Sequence, residues 1–176
     1  GALMAALILT GCDGGITATS AGRSPTELPE ALTEFRPVPL SRAFVSVPEA
    51  LIVLERELDG VVEQRITLPN ATSLAGENVI ILRAQTSRAA SRSRLVLSDV
   101  LLQFGGAPTP FSNVSESGLT AQTDSIGDIV FTAMSPGADI TCVLAFRRTQ
   151  TAARALPRGA TSLDLMTRNC VTGSTQ

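Results

Sequence analysis

The chain has 176 residues and a formal net charge of −2; its 14 basic residues are all arginine, against 16 acidic ones, and it has no histidine. That composition excludes a Ser-His-Asp or Cys-His centre, histidine-ligated zinc, a lysine Schiff base and a phosphate-binding P-loop. The near-neutral charge implies no nucleic-acid partner, and six Phe with no Trp or Tyr leave few platforms for stacking on sugar faces.

Ala2 to Leu9 is an uncharged apolar run, too short to cross a bilayer as a helix. It suits the hydrophobic part of a secretory signal, whose basic start is expected upstream of Gly1. The run ends in Leu9-Thr10-Gly11-Cys12, which resembles the lipobox of bacterial lipoprotein precursors. Small residues at Thr10 and Gly11 let a peptidase approach the backbone, and the Cys12 thiol is the expected lipidation site. Asp13 resembles the inner-membrane retention signal of enteric lipoproteins, a rule that varies with lineage, so both envelope membranes stay open. The expected organisation is a signal at 1–11, a lipidated cysteine and flexible Gly/Ser/Thr/Pro linker at 12–40, and a folded periplasmic domain at 41–176.

Within that domain the first expected strand is Ala43 to Val47, stopped by Pro48. Leu51 to Leu58 and Val61 to Leu68 flank Asp59-Gly60, a strong hairpin signal. Asn78 to Gln85 carries a continuous apolar run and reads as a central strand. Thr86 to Arg94 reads as an exposed loop or the first turns of a helix. Leu95 to Phe104 fits both a helix and a strand, and Gly105-Gly106-Ala107-Pro108 ends it either way. Ile129 to Met134, Asp139 to Thr149 and Ser162 to Val171 are the remaining expected strands. Many strands and little helix predict a single small α+β or mainly β domain with an antiparallel sheet.

Two cysteines remain once Cys12 is set aside, and an exported protein occupies an oxidising compartment where such pairs bridge. Pairing the last two strands with Cys142 opposite Cys170 also sets Phe146 against Met166 and Arg148 against Asp164. One register thus gives a disulfide, an apolar pair and an ion pair, and predicts a bridge worth about 3 kcal/mol in the chain-entropy model, with two buried free thiols as the alternative. Its spacing is not C-x-x-C, which argues against a redox role.

Carboxylate chemistry is the catalysis this composition still permits. Its candidates, Glu55, Glu57 and Glu63, flank a hairpin and read as surface charge, so no catalytic residue, metal or cofactor is expected. Arg83, Arg88, Arg92 and Arg94 form a candidate anion-binding cluster, with a solvated loop as the plainer reading.

Several segments resemble the cellulose biosynthesis protein BcsN family, small bacterial proteins encoded near cellulose synthase. The resembling stretches are Glu63-Gln64-Arg65-Ile66-Thr67-Leu68-Pro69-Asn70, Gly76-Glu77-Asn78-Val79-Ile80, the strand around Cys142, and Leu163-Asp164-Leu165-Met166-Thr167-Arg168-Asn169-Cys170. The resemblance implies an accessory part in cellulose or exopolysaccharide production, without catalytic residues. The resulting expectation is a non-enzymatic lipoprotein held at the membrane by Cys12 and working through a protein partner. The alternatives are an assembly or pilotin-like lipoprotein of another secretion machine and a carboxylate-dependent glycan hydrolase.

Overall fold

The computed structural model describes residues 33–86, 95–137, 139–150, 156–157 and 159–173. Ile52–Leu58 (β2) and Val61–Leu68 (β3) form a hairpin in which Gly60 adopts φ +70° at the turn. That left-handed backbone suits glycine, which has no Cβ to clash. Val62, Gln64, Ile66 and Leu68 lie on one face of β3, and Glu63, Arg65 and Thr67 on the other, as the strand period of two requires.

Arg36–Val38 (β1) pairs with β2, and Asn78–Gln85 (β4) pairs with β3. A second meander follows: Thr120–Asp124 (β5), Gly127–Gly137 (β6), Ile140–Gln150 (β7) and Ser162–Thr172 (β8). The meanders join where β8 pairs with β4, giving one eight-stranded sheet of order β1-β2-β3-β4-β8-β7-β6-β5 with every pairing antiparallel. The domain is therefore single, small and mostly β. The expectation that Asn78–Gln85 is central is met, since β4 and β8 form the middle of the sheet and are largely buried along their length.

Leu97–Gln103 (α1) is a helix, which resolves the ambiguous apolar segment. Leu97 and Val100 are buried, with Leu101 and Phe104 packed beside them, the i, i+3, i+4, i+7 stripe of an amphipathic helix. They meet Val79, Ile81, Phe111, Leu144, Phe146 and Met166 on one face of the sheet. The other face packs Val53, Ile66, Leu82, Ala84 and Leu163 beneath a covering segment that includes Phe44, Val45 and Val47.

Three expectations need correction. Ala43 to Val47 forms no strand. Held between Pro39 and Pro48, it lies across the sheet, where the Phe44 N–H donates to Gln64 Oε1 at 2.8 Å. The edge strand is instead Arg36–Val38, inside the segment expected to be linker, and Pro37 is tolerated there because an edge position can spare a donor. β5 was not anticipated at all. Its sequence, T-A-Q-T-D, is exposed throughout and shows no apolar alternation.

Candidate functional site

The most concentrated chemistry lies in a row of charged side chains running across five adjacent strands on the α1 face. Arg56 on β2 stands opposite Glu63 on β3, Glu63 opposite Arg83 on β4, Arg83 opposite Asp164 on β8, and Asp164 opposite Arg148 on β7. Directly opposed residues of an antiparallel pair share a face, so the register alone assembles the row. Glu63 Oε2 accepts from Arg56 Nη2 and from Arg83 Nη1, each at 3.0 Å. Asp164 accepts from Arg148 Nε at 2.6 Å and Nη2 at 2.8 Å. Gln103 ties the row to the end of α1: its carbonyl accepts from Arg83 Nη1 at 3.0 Å and its Nε2 donates to Asp164 Oδ2 at 2.9 Å.

The row is buried, with Glu63 4%, Arg83 6% and Asp164 2% exposed. Its pairings hold the guanidinium of Arg148 above its ordinary pKa. The Asp164 hydrogen bonds are the main cause and burial opposes them, while the charges of Asp164 and Asp99 add to the rise. Two sequence expectations change here. Glu63 is a buried acceptor between two arginines, whereas its alternating pattern had suggested surface charge. Arg83 belongs to the same row and is not presented to an external anion. Arg88, Arg92 and Arg94 lie outside the described residues, as does Cys12. Glu55 accepts from Gln64 Nε2 at 2.7 Å and Arg42 Nη2 at 3.2 Å, and Glu57 is exposed.

Arg168 is a second buried cation, 1% exposed, and no carboxylate pairs with it among the described residues. Its Nε donates to the Thr109 carbonyl at 2.6 Å, Nη1 to the Glu77 carbonyl at 2.8 Å and to Asn78 Oδ1 at 3.0 Å, and Nη2 to the Ala75 carbonyl at 3.0 Å. Burial lowers its pKa from the ordinary guanidinium value. Gly76, at φ +101°, brings the loop to within contact of this guanidinium, since an added Cβ would stand 3.3 Å from Arg168 Cζ. Asn78 completes the cluster by donating to the Cys170 carbonyl and accepting from the Cys170 N–H, both at 2.8 Å.

Cys142 and Cys170 face each other across β7 and β8 with their sulfurs 2.06 Å apart and their Cα atoms 4.0 Å apart. The same register places Phe146 opposite Met166 and Arg148 opposite Asp164, the three pairs expected. Both cysteines are buried, at 0% and 1% exposure.

A cavity of about 490 Å³ opens between the start of α1 and strands β5 to β7. Leu97, Val100, Val130 and Phe146 form its apolar part, and Glu116 and Asp128 bring carboxylates to it. Glu63 and Asp164 do not line it. Sequence reasoning missed this cavity because β5, one of its walls, carries no strand signal. Among the described residues there is no cluster of three or more metal-capable side chains, and no helix is long and apolar enough to cross a membrane. Comparison of the chain with protein-family models, curated proteins and solved structures finds no match.

Proposed function

We propose that this protein is a non-enzymatic envelope lipoprotein, anchored through Cys12 with its domain facing the periplasm, that assists cellulose or exopolysaccharide production by binding a protein partner. The observation that carries the envelope part is the buried Cys142–Cys170 pair, poised for a bridge that persists in an oxidising compartment. The Leu9-Thr10-Gly11-Cys12 motif supplies the anchor. A non-catalytic role is supported by the use made of the buried carboxylates: Glu63 and Asp164 serve as acceptors for arginines inside the sheet. The polysaccharide connection rests on the family resemblance.

Labelling cells with an alkyne-bearing fatty acid tests the anchor. The full chain should incorporate the label and fractionate with membranes, and Cys12→Ala should lose both properties. Label retained by Cys12→Ala overturns the anchor. In-cell cross-linking of the anchored protein then tests the role. Recovery of polysaccharide-synthase components supports it, whereas recovery of secretion-pore components would replace it with the pilotin-like alternative.

A further inference from the structure

We infer that the cavity beside α1 is a binding site for a small ligand with an apolar body and one cationic amine. Its volume, about 490 Å³, falls in the range of small-molecule sites. Its floor is preformed: Leu97, Val100 and Phe146 are 8%, 3% and 0% exposed and belong to the main core. Its apolar lining also includes the exposed Val96 and the half-buried Leu95, Leu119 and Val130, and covering these favours an apolar ligand, because contact removes hydrocarbon from water without requiring new hydrogen bonds.

The polar groups determine the sign of the ligand's charge. Glu116 and Asp128 contribute two carboxylates, and among the described residues no arginine lines the cavity. Each carboxylate is oriented by one neutral donor. The Leu97 N–H donates to Glu116 Oε1 at 3.2 Å, and Thr123 Oγ1 donates to Asp128 Oδ1 at 2.8 Å. Neither acid has an ion-pair partner among the described residues. The arginines of β7 are committed elsewhere: Arg147 holds Asp124, and Arg148 holds Asp164 with two of its nitrogens. The contrast with the interior row, where each carboxylate meets an arginine, marks this pair as available to an external cation. An ammonium group reaching the remaining oxygens gains charge-assisted hydrogen bonds that a neutral or anionic head group cannot.

The inference is independent of the envelope role and is tested on the folded protein with three matched probes: hexylamine, hexan-1-ol and hexanoate. Glu116 and Asp128 are exposed, so calorimetry should show hexylamine binding about two- to fivefold more tightly than hexan-1-ol, the increment expected of ion pairing at exposed carboxylates, and hexanoate binding least. Amide and methyl NMR shifts should concentrate at Leu97, Val130 and Phe146. Glu116→Gln with Asp128→Asn keeps the acceptors for Leu97 and Thr123, so it should remove the amine preference while leaving the weaker binding of hexan-1-ol unchanged. Val130→Trp should fill the cavity and remove binding of all three. The inference is overturned if the folded wild type binds no hexylamine, if hexanoate binds as tightly, or if the double variant keeps the amine preference.

Discussion

Arg148 grips both oxygens of Asp164 across the β7–β8 pair, at 2.6 and 2.8 Å, where Asp164 is only 2% exposed. Burying two charges costs solvation that their attraction only partly returns, so the pair is most consequential when one member is removed. Asp164→Asn preserves shape and still accepts from Gln85 and Gln103, but removes the two-oxygen partner that does most to offset the burial of Arg148, leaving the weaker influence of Asp99. Urea unfolding should show a loss of about 3–5 kcal/mol. Adding Arg148→Met to Asp164→Asn removes the guanidinium whose main partner is gone and should cost less than the sum of the two single substitutions. Simple additivity of the two substitutions would show that the pair is not coupled.

Arg168 ties together parts of the chain that no strand connects. Its guanidinium serves carbonyls of Ala75 and Glu77 in the β3–β4 loop and of Thr109 in the segment after α1. Arg168→Met keeps apolar bulk but leaves these acceptors without a donor, and several such losses make a cost of about 3 kcal/mol or more reasonable. Arg168→Lys should recover little, because one ammonium cannot reproduce the planar fork. Hydrogen exchange offers a local readout: amides in 70–77 and 105–111 should lose protection first, while the β2–β3 hairpin keeps it. Uniform loss across the sheet would contradict a role confined to these loops.

The features most legible in the sequence are those that a strand period fixes locally. Asp59-Gly60 predicts the hairpin, and the Cys142, Phe146 and Arg148 series predicts the β7–β8 register, because residues with compatible partners recur at even spacing. The buried row was within reach of the same reasoning. Once β3 and β4 are neighbours, Glu63 falls opposite Arg83; its sequence company of Arg88, Arg92 and Arg94 suggested a surface cluster instead. Arg168 shares the alternation of Met166 and Cys170, which signals an inward face, but its acceptors are mostly backbone carbonyls that leave no trace in residue identity. β5 forms because the Ser125-Ile126 turn folds it back on β6, a tertiary gain invisible in its own polar composition.

Acid should reveal a different, exposed ion pair. Arg147 donates from Nη1 and Nη2 to Asp124 at 2.8 and 2.6 Å, and with the Ile126 N–H it holds the Asp124 pKa below the ordinary 3.8. A carboxylate whose pKa is depressed by folding stabilises the fold above its unfolded pKa, and that contribution disappears as pH falls through the folded value. The stability difference between wild type and Asp124→Asn should therefore be flat near neutrality and shrink on acidification below about 3.8. Because Asp124 is solvent-exposed, salt should reduce the same difference. A difference that grows in acid would reverse the assigned sign.

The Cys142–Cys170 link ought to be worth more to stability than to local geometry. It spans 28 residues of sequence, and restricting such a loop in the unfolded chain is worth about 3 kcal/mol in the chain-entropy model. The link also joins strands already aligned by a long run of register pairs from Ile140–Thr172 to Gln150–Ser162. A Cys142→Ala, Cys170→Ala protein should therefore retain the sheet, judged by circular dichroism and amide shifts, while unfolding at lower urea. The double substitution is the right comparison, since either single one leaves a reactive thiol behind. Both cysteines are at most 1% exposed, so a water-soluble reductant should open the bridge slowly in the native protein and rapidly in urea. Equal rates in the two conditions would mean that the sulfurs are reached without unfolding, contrary to their burial.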